Sequence, residues 1–284
     1  MRAAVLLRFA MVLSAALALP TFAAGSDMKA LRVCADPNNL PLSDRKGEGY
    51  ENRIAQLIGK DLGLPVEYTW APQRMGFIRN TLRAPDGNGG YKCDVIIGVP
   101  ADYELTATTR PYLHSSWVMV FPDRPELASV KNAEDILALP AELLRRLRFG
   151  AFTQTQAFDW LFKHNFFEQT VTYPALSPDP DEYPGQIIQD DLTDGKIDVA
   201  LVWGPIGGYF AKRSAKPLRM VPFTSTPEYR FDYLLAFGVR HPDKQWRDTL
   251  DGVIARHQAE IDRILEDYGV PRLELPSPPA GVRP

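Results

Sequence analysis

Four histidines, two cysteines and 35 carboxylates are the residues with which this 284-residue chain could do chemistry. His114, His164, His241 and His257 are scattered, and no pair has the HxxxH spacing that sets two imidazoles on one helix face for zinc. No GxSxG elbow presents a serine nucleophile, and no P-loop or strand-led GxGxxG presents a phosphate cradle. Gly204-Pro205-Ile206-Gly207-Gly208 reads as a turn. Asp179, Asp181 and Glu182 form a proline-broken acidic loop. Calcium asks for more preplaced oxygens than that, so a solvated charge run is the better reading. The expectation is a binding protein, not an enzyme, with no cofactor and no metal.

A set of aromatic, amide and charged residues remains at the ends of the apolar runs: Asn38, Asn39, Trp70, Gln73, Arg74, Asp102, Tyr103, Arg110, Thr153, Gln154 and Trp203. Aromatic rings with a few polar groups suit an uncharged small molecule or a protein segment. Each also has a plainer reading. Trp70 and Trp203 would serve equally as core, Asn38 and Asn39 as turn residues, and Arg110 as a surface or hinge ion pair.

The elements that would position this set follow a strand-helix alternation. Leu31 to Ala35 is a short apolar strand stopped by Asp36-Pro37-Asn38-Asn39. Tyr50, Ile54, Leu57, Ile58 and Leu62 recur at helical spacing, and Gly63 ends that helix. Val66 to Trp70 is the next strand, and Gln73 to Leu82 reads as a helix with Met75, Ile78 and Leu82 inward. Asp94 to Val99 is a buried strand, and His114 to Phe121 carries the chain into a second lobe. There the pattern restarts: an Asn132-capped helix through Leu139, a strand from Arg148 to Phe152, a helix from Thr155, a strand from Val171 to Tyr173, a helix from Pro184 and a strand from Ile197 to Trp203. Lys92 to Ile97 resembles Lys196 to Leu201, which supports two similar lobes. Tyr233 to Val239 returns to the first lobe, and the longest helix, opened by Pro242 and Asp243, packs back on it. The fold class is α/β, with two doubly wound lobes. Lobe 1 takes residues 28–116 and 235–275, lobe 2 takes 117–234, and a proline-rich tail, 276–284, is expected to be disordered.

The composition, 45% hydrophobic and 24% charged, is that of a globular protein, and the absence of a basic run excludes a nucleic-acid binder. Arg2 and Arg8, the apolar run Phe9 to Leu19 and the small residues after Pro20 mark residues 1–24 as a secretory signal peptide. The mature chain is then periplasmic, with no membrane insertion. In that compartment Cys34 and Cys93 favour a disulfide. Neighbouring parallel strands could separate them along the axis, which leaves two buried thiols as the alternative.

The two lobes, two crossing strands and export signal resemble the type II periplasmic solute-binding proteins, whose ligands sit between lobes that close by hinge motion. More narrowly, Cys34 to Ser43 (CADPNNLPLS), Tyr50 to Leu82 and Cys93 to Tyr112 resemble the MoxJ/XoxJ group. That resemblance implies an accessory role beside a PQQ-dependent methanol dehydrogenase, possession of a wide inter-lobe cleft that binds or helps mature the enzyme, and a c-type cytochrome in the same system. A monomer is expected. In the amino-acid-binding branch of the wider family, an arginine after the third strand grips the ligand carboxylate; counting back from Pro111-Tyr112, that position holds Asp102. The acidic residue that holds the ligand ammonium falls at Trp203, whose indole accepts no hydrogen bond. The other role open to the chain is a receptor for a small molecule other than an amino acid, feeding an ABC importer.

Overall fold

A computed structural model describes residues 28–175 and 182–276. The expected signal peptide, the tail beyond Pro276, and Asp179 and Asp181 lie outside the described residues. The first lobe contains β1 (Leu31–Ala35), β2 (Asn38–Asn39), β3 (Ser43–Asp44), α1 (Tyr50–Leu62), β4 (Val66–Trp70), the single turn α2 (Phe77–Asn80), β5 (Ile96–Pro100) and β6 (Ala107–Thr108). The long β7 (Leu113–Pro122) leads to 3-10 turns at Pro125–Leu127 and Ala133–Ala138, then α3 (Ala141–Leu144), β8 (Phe149–Phe152), α4 (Gln156–Lys163) and a 3-10 turn at Phe167–Gln169. There follow β9 (Thr170–Tyr173), a π-helical segment (Ile187–Leu192), β10 (Val199–Trp203), α5 (Gly204–Arg213), β11 (Leu218–Pro222), β12 (Asp232–Val239) and α6 (Lys244–Asp267).

In the first lobe β1 pairs with β4 in parallel, and the Cys34 N–H donates to the Val95 carbonyl at 2.8 Å, which places the approach to β5 on the other side of β1. β12 runs antiparallel beside β5. β7 joins the lobes. Its first half, Leu113 to Ser116, pairs with Leu235 to Asp232 of β12. Its second half pairs with β10 through Trp117 to Val120 and with β11 through Val118 to Pro122. β8 and β9 extend the second sheet in parallel beyond β10. Helices cover the sheets because their stripes are apolar: Ile54 and Ile58 of α1 and Leu250, Val253, Ile254, Ile261 and Leu265 of α6 enter one core with Val33, Val95 and Ile97.

The short sequence repeat corresponds to a repeated construction. The N–H groups of Asp94 and Val95 both donate to the Arg32 carbonyl (2.7 and 3.3 Å), and those of Asp198 and Val199 both donate to the Arg148 carbonyl (2.8 and 3.1 Å). Each carboxylate is then held by two arginine residues. Asp94 accepts from the side chains of Arg32 (2.7 Å) and Arg240 (2.8 Å). Asp198 accepts from the Arg124 side chain (3.1 Å) and the Arg148 backbone N–H (3.0 Å).

Several expectations are corrected. Gln73 to Leu82 is not one helix: Gly76 at φ +85 breaks it, only Phe77–Asn80 is helical, and Met75 is 92% exposed instead of inward. The helix expected from Pro184 is confined to the π-helical segment from Ile187. Gly204 to Gly208 is not a turn but the first part of α5, with Pro205 in the first helical turn, where its missing N–H costs nothing. Its glycines serve close packing. A Cβ on Gly204 would overlap the Ser116 carbonyl, and one on Gly208 would overlap the Gly269 carbonyl just past α6.

That contact is part of a clasp between α5 of the second lobe and the end of α6. Lys212 Nζ donates to the carbonyls of Glu266 and Asp267 (3.0 and 3.1 Å), Tyr209 stacks on Tyr268 at 5.7 Å, and the Arg213 guanidinium lies 3.7 Å from the Tyr209 ring centre. The chain after α6 then runs along the start of β7. Ser115 Oγ donates to the Pro271 carbonyl at 2.6 Å, and the Leu273 N–H donates to the His114 carbonyl at 2.8 Å.

Cys34 and Cys93 form a disulfide with Cα atoms 5.5 Å apart. The axial separation that counted against it does not arise, because the chain bends at Lys92 and Asp94 and tucks Cys93 under β1. The bond closes a span of 59 residues, and the loop-entropy relation assigns such a loop about 4 kcal/mol. The C34A/C93A variant is therefore expected to lose roughly 2–4 kcal/mol in urea unfolding; an unchanged midpoint would contradict this. Gly208→Ala should cost about 1–3 kcal/mol in urea unfolding by overpacking the clasp, while a control at the exposed Arg263, Arg263→Ala, stays near wild type.

Candidate functional site

The parallel strands β1, β4, β8, β9 and β10 all point their C-terminal ends at one cleft of about 520 Å3 between the lobes. This is where open α/β sheets place ligands, since the loops leaving those ends are free to vary. From the first lobe the lining comprises Asp36 to Asn39, Leu42 and Pro72 to Arg74. From the second it comprises Phe152, Tyr173 to Ala175, parts of the segment from Glu182 to Asp191, and Trp203 with Ile206.

Asp36 organises the first-lobe lip. Its carboxylate accepts the Asn38 N–H at 2.9 Å and the Gln73 N–H at 2.5 Å, and Asn39 Nδ2 donates to Gln73 Oε1 at 3.2 Å. One carboxylate thus ties the loop after β1 to the loop after β4. On the facing wall Asp191 accepts from Lys196 Nζ (2.7 Å) and the Tyr173 hydroxyl (2.6 Å). The lysine and then the tyrosine hold the Asp191 carboxyl below the ordinary aspartate range.

Of the residues singled out from sequence, Asn38, Asn39, Gln73, Arg74 and Trp203 line this cleft. The others are placed elsewhere. Trp70 stacks on Tyr68 at 4.5 Å, with the Arg45 guanidinium 5.9 Å from its ring centre. Tyr103 packs against the cluster around the disulfide. Arg110 donates its backbone N–H to Asp251 of α6 at 2.5 Å. Thr153 donates its N–H to the Tyr173 carbonyl at 2.9 Å, and Gln154 is exposed in a left-handed conformation. Asp102 is exposed and pairs with Arg230 at 2.6 Å, which lowers its pKa. Sequence reasoning passed over Asp36, Tyr173, Tyr183, Asp190 and Asp191. The acidic pair Asp190-Asp191, following an expected helix start at Pro184, was a usable signal.

The hinge side of the cleft is filled by the protein's own groups. Arg230 lies 4.5 Å from the ring centre of Tyr233, Gln156 donates to the Tyr233 hydroxyl at 2.8 Å, and Tyr233 meets Trp203 edge to face at 5.9 Å. Trp203 also touches Trp117 at 6.3 Å, so it is both core and wall. Of the two residues that the sequence set against an amino-acid site, Asp102 is engaged by Arg230 away from the cleft lining, and Trp203 presents its indole to the cleft. Among the described residues no group of three or more His, Cys, Asp or Glu is placed to hold a metal, and no helix is long and apolar enough to cross a membrane.

No protein-family model matches the chain. It is 32% identical to the periplasmic binding protein XoxJ from Methylobacterium extorquens AM1, whose crystal structure superposes with a TM-score of 0.69 over 86% of this chain and 100% of that one. The chain belongs to the MoxJ/XoxJ family of periplasmic binding proteins. Protein MoxJ of Paracoccus denitrificans is 26% identical over 279 residues, covering 91% of this chain and 93% of MoxJ. MxaJ from Methlophaga aminisulfidivorans MPT, at 22% identity, shares the fold with a TM-score of 0.71 over 86% of this chain and 100% of its own. The expected two-lobed α/β architecture and periplasmic compartment hold for this family member, and its fold is that of non-catalytic periplasmic binding proteins.

Beneath the first-lobe lip this family member buries a carboxyl group. Glu51, 7% exposed on α1, donates its N–H to the Leu42 carbonyl, while its Oε1 has no hydrogen-bond partner among the described residues. Burial, reinforced by nearby Asp36, pushes its pKa up to about 8. Because the folded state holds this proton more tightly than the unfolded chain, its stability is full below about pH 4.5, falls as pH rises, and levels off above about pH 8. Over that window the loss is on the order of 5 kcal/mol. Glu51→Gln should remove this fall. Urea midpoints of the two proteins at pH 5 and pH 8 check it, and an identical pH dependence in both would contradict it.

Proposed function

We propose that the protein is a periplasmic accessory of a PQQ-dependent methanol dehydrogenase and that it engages a segment of the unmatured enzyme in the inter-lobe cleft. Family membership supports the setting. What supports the cleft assignment is the zwitterion grip that the sequence count finds missing: Asp102, counted at the carboxylate-gripping position, pairs with Arg230, and Trp203, counted at the ammonium-holding position, lines the cleft with an indole. A free amino acid held against Trp203 would find no carboxylate from that side chain for its ammonium, and a buried unpaired charge costs several kcal/mol, comparable with the binding energy itself. The c-type cytochrome of the same system is a further partner in this reading, and the working form is a monomer. We place the first lobe at residues 28–116 and 235–275 and the second at 117–234. The cleft residues of this proposal are Asn38, Asn39, Gln73, Arg74 and Trp203, with Trp70, Asp102, Tyr103, Arg110, Thr153 and Gln154 as surrounding support.

Titration with apo-dehydrogenase, with and without its metal, is the test. Association is expected, and Trp203→Ala should weaken it by about tenfold or more, as for a central aromatic anchor. No association in either metal state would refute the reading. A thermal-shift screen separates the importer-receptor alternative, because a small ligand at a hundredfold excess over Kd raises stability by about 2.7 kcal/mol. L-Arginine and other free amino acids are expected to give no shift.

A further inference from the structure

Resting on the proposed engagement of a protein segment, the groove also specifies the chemistry of that segment. Its floor is apolar, built from Leu42, Phe152, Pro174, Ile187 and Ile206. Four carboxylates, Asp36, Glu182, Asp190 and Asp191, face one guanidinium, Arg74, among the described lining residues. Arg74 is already engaged within the molecule. Asp191 has Lys196 as its counterion. Glu182 and Asp190 are exposed on the rim of the second-lobe wall and make no ion pair among the described residues. An acidic segment laid in the groove would meet these carboxylates with like charge and a neutral one would leave them without a counterion, whereas a cation would complete them.

The protein's own packing shows what such surroundings accept. Arg230 sits between the Asp102 carboxylate and the face of Tyr233. The groove carries the same residue types, with Asp190, Glu182 and Tyr183 together in its lining. The clasp between α5 and α6 ties the lobes together through residues that do not line the groove.

We infer that the cleft receives an extended segment of the partner protein that carries lysine or arginine among apolar residues. Three synthetic peptides test this by calorimetric titration of the whole mature protein: an apolar peptide bearing lysines, the same peptide with glutamine at those positions, and the same with glutamate. The lysine peptide should bind, the glutamine peptide about three- to tenfold more weakly, and the glutamate peptide weakest, with the lysine preference shrinking at high salt. The variant Glu182→Gln/Asp190→Asn should lose the preference, and its unchanged unfolding midpoint controls for structure. Equal affinities, a preference for glutamate, or no binding of the lysine peptide would overturn the inference. Its failure is distinct from that of the functional reading. Dehydrogenase association that ignores both carboxylates and salt leaves the accessory role standing and sinks the cationic segment. Lysine-peptide binding without dehydrogenase association does the reverse.

Discussion

β7 is shared by both halves of the molecule. Its first four residues complete the sheet of one lobe and its remaining residues nucleate the sheet of the other. A shift of one residue in either pairing would turn every apolar side chain of that half to the wrong face, so both registers are fixed by the same stretch of sequence. The relative setting of the lobes follows from that strand and from β12 beside it. The clasp adds a third tie: Gly208 against Gly269, Lys212 capping the last carbonyls of α6, and the chain after α6 bonded to His114 and Ser115. Helix C-termini leave carbonyls unsatisfied, and a lysine donated from another lobe answers them at a favourable end of the helix dipole. Wide hinge opening would have to break these contacts together, which favours a preformed groove over a trap that closes on its ligand.

Much of this was legible in the sequence for identifiable reasons. Strands buried on both faces give continuous apolar runs, so β1, β5, β7 and β10 could be read directly. α6 is long enough for its period to be unmistakable. The paired Asp94 and Asp198 motifs were visible because each places a carboxylate at the start of a buried strand, where arginine residues hold it. Other features depend on contacts between distant segments. Nothing local says that Gly204 to Gly208 is helical, since glycine and proline argue against it; the reason for those glycines is the Gly269 and Ser116 carbonyls that α5 must approach. The stretch after Pro72 has helical spacing, yet Gly76 in the left-handed region stops it, which sends Met75 outward. The disulfide depended on a bend at Lys92 that periodicity cannot express.

The site was half legible. Residues directly after strands, such as Asn38, Gln73 and Trp203, fall in the cleft because strand ends converge there. Asp102, Tyr103 and Arg110 follow β5 in the same way but turn toward β12, α6 and the disulfide cluster instead. Their loop is drawn off by β6 pairing with β12, a two-residue strand too short to leave a pattern.

The two lobes diverge where function is read out. The strand-opening clamps at Asp94 and Asp198 keep one geometry, while the loops at the opposite ends of the same strands differ in chemistry, as expected when a scaffold is retained and its rims are altered. Near the hinge the ion pair Asp102–Arg230 is satisfied internally and offers nothing to a ligand. On the rim Glu182 and Asp190 stay in water, where each carboxylate contributes little affinity alone. Their effect falls on selection and approach: an apolar floor gives affinity to many segments, and an acidic rim repels those of its own sign before contact is made.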